Sequence, residues 1–352
     1  MRKGDCTGTH FISYNRTMKT KILVTGAGGY IGSVATYLFL QQGYDVVALD
    51  NFCTGYRTPL EFFKQKFSGK FDYYDLDLQT NISEVFLKEK NIEAVVHFAA
   101  SCLVDESMKH PDKYFRNNVG GTNNLLAAMT DADVKKIVFS STCAVYGKAV
   151  YMPIDEKHPL SPTTPYGASK KIVEEIIEWY GTLKGLNYVI LRYFNVCGAS
   201  DDGLIGDSKR PSSLLVQNAV RGALKIEPFA LTCPEVNTPD KTPIRDYVNV
   251  VDLNEAHLNA LQYLFKGGVS EKINLGTGSG NSVLEIVNKV QEVTGVKFNV
   301  GKSAPREGDD AKKIANIDKA SQVLEWTPKR TITDSITSLV TWYKTHPKGW
   351  EK

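Results

Sequence analysis

Tyr166 and Lys170 stand four residues apart in Tyr-Gly-Ala-Ser-Lys. On a helix that spacing puts both side chains on one face. A free phenol, with a pKa of about 10, is a poor base near neutrality. An ammonium alongside, helped by a cationic ring, favours phenolate and draws that value down. Such a tyrosine can take the proton of an alcohol while hydride leaves the same carbon. Thr142, about 24 residues earlier, offers a hydroxyl that can hold the same substrate oxygen. Its segment, KKIVFSST (135–142), reads as a strand that Thr142 closes. Ligands of open α/β sheets gather at that carboxyl edge. A Tyr-xxx-Lys pair alone is common by chance; a strand-end hydroxyl ahead of it makes the combination informative.

Hydride needs a carrier, and the chain opens with a place for one. KILVTG (21–26) reads as a buried strand, and Gly26, Gly29 and Gly32 follow as GxxGxxG. The turn needs residues without Cβ so that backbone can approach a pyrophosphate, and the helix that begins there offers free N–H groups and the positive end of its dipole. Asp50 ends the second strand, DVVALD (45–50), where a carboxylate accepts from ribose hydroxyls and repels a 2′-phosphate. Arg57 is near but not adjacent, so the pattern favours NAD over NADP. Asp77, closing a predicted third strand FDYYDLD (71–77), can accept from the adenine amino group. Lys170 can also bond the nicotinamide ribose.

These residues must be held by alternating elements. Helices are predicted over 31–42, 82–90, about 118–129 and about 165–185, and further strands over AVVHFAA (94–100) and NYVILRYFN (187–195). Near-continuous apolar strands interleaved with helices mean a parallel sheet covered on both faces, the doubly wound Rossmann-type α/β fold. From about Gly198 the texture changes to Gly-, Pro-, Ser- and Asp-rich stretches between short elements, the composition of a smaller mixed α/β lobe able to close over a ligand. Ser282-Val-Leu-Glu285 is a capping box opening a helix there. The division expected is 18–198 for the dinucleotide-binding domain and 199–352 for the substrate lobe, some of whose segments return to the first domain. Residues 1–17 carry charge without an apolar core and read as a leader or extension outside the folded part.

The 352 residues have ordinary globular composition and a net charge of +3, which calls for neither nucleic acid nor an anionic membrane as partner. No apolar run approaches the roughly 18 residues that span a bilayer. The six cysteines form no CxxC pair and no zinc-ligand spacing, so reduced thiols in the cytoplasm are expected and a metal is not.

Several segments together are far more specific than either motif. They include VTGAGGYIGS (24–33), LDNFCTG (49–55), VVHFAA (95–100), NNVGGT (117–122), FSSTCAVYG (139–147), PYGASK (165–170), LRYFNVCGA (191–199), TPIRDYVNVVDL (242–253), NLGTGSGNSVLEI (274–286) and APREGD (304–309). In these the chain, from about Lys19 to Trp350, resembles the extended short-chain dehydrogenase/reductase superfamily and, more narrowly, its UDP-galactose (UDP-glucose) 4-epimerases. The resemblance implies Tyr166 as base, Lys170 as its tuner and Thr142 as the hydrogen-bonding hydroxyl. It implies a tightly held NAD contacted by Gly26, Gly29, Tyr30, Ile31, Gly32, Asp50, Asn51, Asp77, Leu78, Phe98, Ala99, Asn118 and Tyr193. It implies a UDP-sugar held by Asn195, Arg245, Arg306 and Asp309, and a homodimer formed through the helices near 103–129 and 165–184. Arginines at 245 and 306 suit a pyrophosphate, and a carboxylate at 309 suits a ribose hydroxyl.

One local feature separates reaction types. Sugar 4,6-dehydratases and UDP-glucuronate decarboxylases carry acidic groups just after the strand-end threonine. This chain has Cys143-Ala144, which leaves hydride out and back without elimination. The chain also departs from the epimerase pattern. Cys102 stands where many of these enzymes carry a cofactor-contacting lysine, and Pro211-Ser212-Ser213-Leu214 lacks the usual Asn or His. The loop 229–244 is longer, and Lys313 occupies a place that gates bulk at the sugar C2. Those departures bear on sugar specificity, and they keep pentose, uronate and N-acetylhexosamine 4-epimerases and a net dehydrogenase in view. A catalytically silent dinucleotide sensor is a further alternative, though such proteins generally lose the Tyr/Lys pair that this chain keeps.

Overall fold

The computed structural model describes residues 20–210, 212–302 and 310–350. The expectations for residues 1–17, Pro211, Arg306 and Asp309 lie outside the described residues.

Seven parallel strands form the central sheet: β1 (Lys21–Thr25), β2 (Asp45–Asp50), β3 (Phe71–Asp75), β4 (Ile92–His97), β5 (Lys136–Ser140), β6 (Asn187–Tyr193) and β7 (Glu271–Leu275). Their order across the sheet is β7-β6-β5-β4-β1-β2-β3. β1 is central, with Leu23 registered on Val47 of β2 and on Val95 of β4. The chain runs outward from β1 to β3, then crosses back to β4 and builds the other half. A crevice opens at that reversal, outside the carboxyl ends of β1 and β4. β7 comes from beyond residue 198, so the later part of the chain completes the first sheet.

The strands bury both faces, which is why they read as continuous apolar runs. Ile22, Val24, Val96 and Leu191 pack with the helices Tyr30–Gln41 and Val250–Phe265 on one face. Leu23, Val95, Ile137 and Ile190 pack with the helices Gly121–Asp131 and Pro165–Lys184 on the other. A separate core joins the helices Leu215–Ala223, Val283–Thr294 and Ile332–Thr345 in the second lobe. The Val283–Thr294 helix opens on the expected capping box: Glu285 N donates to Ser282 Oγ and Ser282 N to the Glu285 carboxylate. A three-residue strand, Asn195–Cys197, pairs in parallel with Tyr247–Asn249 and carries the chain between the two parts.

Predicted strands end early at β3, β4, β5 and β6, and the endings of β3 and β5 shape the site. β3 stops at Asp75, which puts Asp77 in the loop beyond it. β5 stops at Ser140. The Thr142 hydroxyl accepts from Ala144 N at 3.1 Å and turns the chain into a short 3₁₀ helix, Cys143–Tyr146. The helix expected over about 118–129 is preceded by a π-helical turn, Phe115–Gly120, of the kind that accumulates at functional sites.

Candidate active site

The turn after β1 is built around two close approaches. Gly26 has φ +72°, and a Cβ there would lie 2.6 Å from Ala99 N. A Cβ on Gly32 would lie 2.1 Å from Gly26 O. Gly29 has no contact tighter than 3.3 Å, so what its missing Cβ opens is space in the cleft. Gly29 is also the N-cap of the Tyr30–Gln41 helix, with no side-chain cap and no acid in the first turn. The leading N–H groups and the dipole of that helix therefore face the cleft ready for an anion.

Gly26, Gly29, Tyr30, Ile31 and Gly32 line this cleft with Asp50, Asn51, Asp77, Leu78, Phe98, Ala99 and Tyr193. Asp50 accepts from Gly28 N and Phe52 N, both at 2.8 Å. Burial lifts its carboxyl above the ordinary carboxylate range, against the pull of those two N–H groups. Asn51 Nδ2 donates to Asp77 Oδ2 at 2.8 Å, tying the loops after β2 and β3 together. Asn118 is not on the cleft wall. Its amide bonds Ser101 N and O and Ser169 Oγ, so it braces the loop after β4 against the Pro165–Lys184 helix, while Asn117 lines the cleft.

The Pro165–Lys184 helix starts where the sequence says it should. Pro165 is its first residue, Thr164 Oγ1 accepts from Gly167 N at 3.2 Å, and left-handed Gly185 ends it. Tyr166 and Lys170 are both buried on it, 9% and 3% exposed. The Thr142 side chain lies beside the Tyr166 hydroxyl. Burial pushes the phenol well above its usual 10, and the nearby Tyr193 adds to that, while Thr142 opposes it. Lys170 Nζ donates to Ser140 O at 2.8 Å and sits 4.5 Å over the Phe139 ring. Burial draws its ammonium down to about 8, against the raising effect of Cys102 and Glu174. The protein alone thus holds a protonated phenol, not the phenolate that a simple Tyr–Lys pair suggests.

Two buried devices fix these side chains, and sequence reading had found neither. Glu174, one turn beyond Lys170, accepts from Arg192 Nε and Nη2 on β6 and from Ser141 Oγ, with both charged side chains 1% exposed. On the other side, Thr122 donates to Asn118 O, so its oxygen accepts from His97 Nε2 at 2.8 Å and His97 Nδ1 accepts from Thr25 at 2.6 Å. Burial and the Lys170 charge hold His97 neutral, down to about 3. Helix periodicity could have found Glu174, two turns from Tyr166 on the same face. Nothing local in the sequence pointed to Arg192 or His97.

Arg245 Nη1 donates to Ile244 O and Asp310 O at 3.0 and 2.8 Å. Asn195 is registered opposite Tyr247 in the parallel pair of short strands. Lys313 pairs with Asp310 at 3.0 Å, and its charge and that of Arg245 both act on Cys143, next to Thr142. Arg245 and Lys313 therefore lie near the Thr142 edge of the sheet. Gly28, Gly55, Ser101, Lys209 and Trp350 also line the dinucleotide cleft and were not foreseen. Gly28 had a signal, standing next to the motif Gly29, and a Cβ on Gly28 or on Gly55 would press on the Asp50 carboxylate, at 3.2 and 3.0 Å.

Known proteins share this fold. A UDP-glucose 4-epimerase of Lactobacillus helveticus is 41% identical over 334 residues, 94% of this chain and 99% of that one. A crystal structure of the Bifidobacterium longum UDP-glucose 4-epimerase in complex with NAD+ and UDP superposes with a TM-score of 0.89 at 33% identity, covering 94% of this chain and 100% of that one. The Brucella ovis UDP-glucose 4-epimerase in complex with NAD matches with a TM-score of 0.85 at 36% identity, covering 91% and 97%. Residues 22–276 match the NAD dependent epimerase/dehydratase family, and with relatives this similar over nearly its whole length the chain belongs to that family.

Proposed function

We infer that this chain interconverts UDP-glucose and UDP-galactose by inverting C4 of the hexose, with NAD as resident cofactor. The observation that carries the reading is the buried Tyr166 phenol beside Thr142 at the edge of a cleft built for a dinucleotide, with Cys143-Ala144 where an eliminating enzyme needs acids. The cleft fits NAD: an uncapped helix N-terminus faces the phosphates, backbone without Cβ lets them approach, and Asp50 is placed to accept from ribose hydroxyls. Bound there, the nicotinamide ring supplies a hydride acceptor that becomes the donor in the return step.

The chain's residues handle the proton and the sugar. Tyr166 takes the proton of the C4 hydroxyl as hydride leaves C4, holds it while the 4-keto sugar turns over, and gives it back as hydride returns to the other face. Thr142 holds the same oxygen through both steps. Lys170 stabilises phenolate and bonds the nicotinamide ribose. Asn195 and Arg245, with Arg306 and Asp309, hold the uridine diphosphate so that the hexose alone is free to turn. No net electron or proton is consumed, so the cofactor is returned to its oxidised form in every cycle.

Val104, Met108, Phe115, Trp179 and Leu183 expose 38–68% of their surfaces on the elements around the Pro165–Lys184 helix. That apolar patch supports a homodimer that buries the outer face of the catalytic helix. Cytoplasmic location is in keeping with unbridged cysteines, and no helix among the described residues is long and apolar enough to cross a membrane.

Purified protein incubated with UDP-galactose and no added NAD should form UDP-glucose, and denaturation should release NAD. Absence of interconversion even with NAD supplied overturns the reading. A panel of UDP-pentose, UDP-uronate and UDP-N-acetylhexosamine substrates fixes the sugar, and stoichiometric release of NADH marks a dehydrogenase instead.

A further inference from the structure

Among the described residues, Lys209 is the only cationic side chain on the wall of the dinucleotide cleft, which also carries the carboxylates of Asp50, Asp77 and Asp207. A dinucleotide brings two phosphate charges to this wall. The glycine turn answers them with N–H groups and a dipole of about half a charge. Lys209 comes from the other side, on the Gly206–Lys209 run of the second lobe, and reaches across to the first: its Nζ lies 3.0 Å from Cys102 Sγ.

The backbone of that run is pinned. Lys209 N donates to Asp207 Oδ1 at 3.1 Å, Tyr56 Oη to Ser208 O at 2.7 Å, Trp350 N to Ser208 Oγ at 2.9 Å and Arg221 Nη1 to Lys209 O at 3.2 Å. Against that precision, the ammonium's hydrogen-bond partner among the described residues is a thiol, a weak acceptor for a group with three donors. A charge held so firmly, with so poor a partner, at the mouth of an anion-binding cleft is placed for a stronger acceptor.

We propose that Lys209 is a cofactor-binding residue: its ammonium pairs with a phosphate of the bound dinucleotide and latches the second lobe over it. The proposal rests on the reading of NAD as the resident cofactor. Cys102 marks the point on the first lobe that the ammonium reaches, so a lysine at position 102 can deliver the same charge from the opposite wall.

The test measures NAD retained per chain after gel filtration, and the rate of NAD release from the holoenzyme, without turnover. Lys209→Met should release NAD about 10- to 100-fold faster, the range of a lost charge-assisted hydrogen bond. Its release should also depend less on salt between about 50 and about 500 mM KCl. Lys209→Arg should stay within about threefold of wild type, since the charge is kept. Cys102→Ala should also stay within about threefold, because the thiol is not the partner that matters. The double variant Cys102→Lys with Lys209→Met should recover at least half of the loss on a logarithmic scale. Unchanged release from Lys209→Met overturns the proposal, and so does a Cys102→Ala defect as large as that of Lys209→Met, which assigns the contact to ordering of the cleft. Melting of the NAD-free variants guards against a folding defect, and Lys209→Arg supplies the charge arm if Lys209→Met fails to fold. Wild-type protein without any dinucleotide overturns both this proposal and the NAD reading. Wild-type protein carrying NADP overturns only the NAD reading, and the same release ratios are then read on NADP.

Discussion

Replacing Tyr166 by phenylalanine separates a catalytic group from a packing group. The substitution removes one oxygen from a side chain that is 9% exposed and keeps the ring, which meets Tyr114 edge-on at 6.4 Å between centroids. Thr142 keeps the bond that it accepts from Ala144 N. One neutral hydrogen bond is worth about 0.5–1.5 kcal/mol net. Burying phenyl in place of phenol offsets part of that, so stability should fall by about 1 kcal/mol or less. A positioned general base is worth about 10²- to 10⁴-fold in rate, or about 2.7–5.4 kcal/mol of barrier at 1.36 kcal/mol per decade. The two effects differ enough to be measured apart. Turnover at saturating UDP-galactose gives the barrier, urea unfolding the stability, and the dinucleotide released on denaturation shows that the cofactor is still there. Turnover within tenfold of wild type refutes the assignment of Tyr166 as base. A loss of stability as large as the change in barrier makes Tyr166 a core residue whose removal damages the site indirectly.

Glu174→Gln leaves the buried Arg192 guanidinium without its counter-charge and should cost about 3–5 kcal/mol in urea unfolding; a cost under about 1 kcal/mol shows that the pair does not hold the catalytic helix to β6. Lys170 is native-state depressed, to about 8 against an ordinary 10.5, so between those values the unfolded chain holds a proton that the folded one has shed, and stability rises with pH through that window. In NAD-free protein the stability of wild type relative to Lys170→Met should therefore improve by about 3 kcal/mol from pH 7 to pH 10.5, and a flat difference places the ammonium in contact with water. Gly32→Ala, whose Cβ would lie 2.1 Å from Gly26 O, should yield protein that melts lower and retains no dinucleotide; full retention means the turn has room to move. Trp179→Glu with Leu183→Glu puts two carboxylates into the exposed apolar patch and should give a monomer in sedimentation, whereas a monomeric wild type removes the proposed dimer.

What the sequence made legible follows from how local each signal is. The glycine turn, the strand-end Asp50 and the Tyr166–Lys170 helix with its Pro165 start are each set by a few consecutive residues, and each lies in one cleft or on its edge. The interleaved apolar runs gave the parallel sheet for the same reason: strands buried on both faces look alike whatever their neighbours. β7 was not legible as a sheet strand, because Glu271–Leu275 pairs with β6 across some eighty residues of chain. The strand ends were misplaced by two residues at Asp77 and Thr142, since a side chain that caps its own turn competes with the ladder in a way apolar patterning does not register. Asn118, read as a cofactor contact, also braces the loop after β4 against the Pro165–Lys184 helix, a tertiary role that no local pattern signals, while its neighbour Asn117 lines the cleft. Lys209 and Trp350 were missed because they reach the cleft from another lobe, and no spacing rule joins residues 50 and 209.

The chemistry of the base shows most clearly where pattern and environment part. Four-residue spacing places an ammonium on the same helix face as a phenol, and spacing alone says that the ammonium should acidify the phenol. In the folded chain that ammonium is engaged with Ser140 O, over the Phe139 ring, and desolvation of the phenol outweighs everything the protein sets against it. A buried phenol held this high cannot accept a proton from an alcohol, so the fold by itself keeps Tyr166 unarmed. The remaining positive charge must come into the cleft with the cofactor, next to the same tyrosine, and only in its oxidised form. On this argument the Tyr166 proton should leave when oxidised dinucleotide binds and return when the dinucleotide is reduced. Phenolate absorbance near about 295 nm should therefore appear with NAD and vanish on reduction, and it should be missing from Tyr166→Phe. A phenolate signal in NAD-free protein near neutral pH would mean that Lys170 suffices on its own, and that desolvation is the weaker of the two effects.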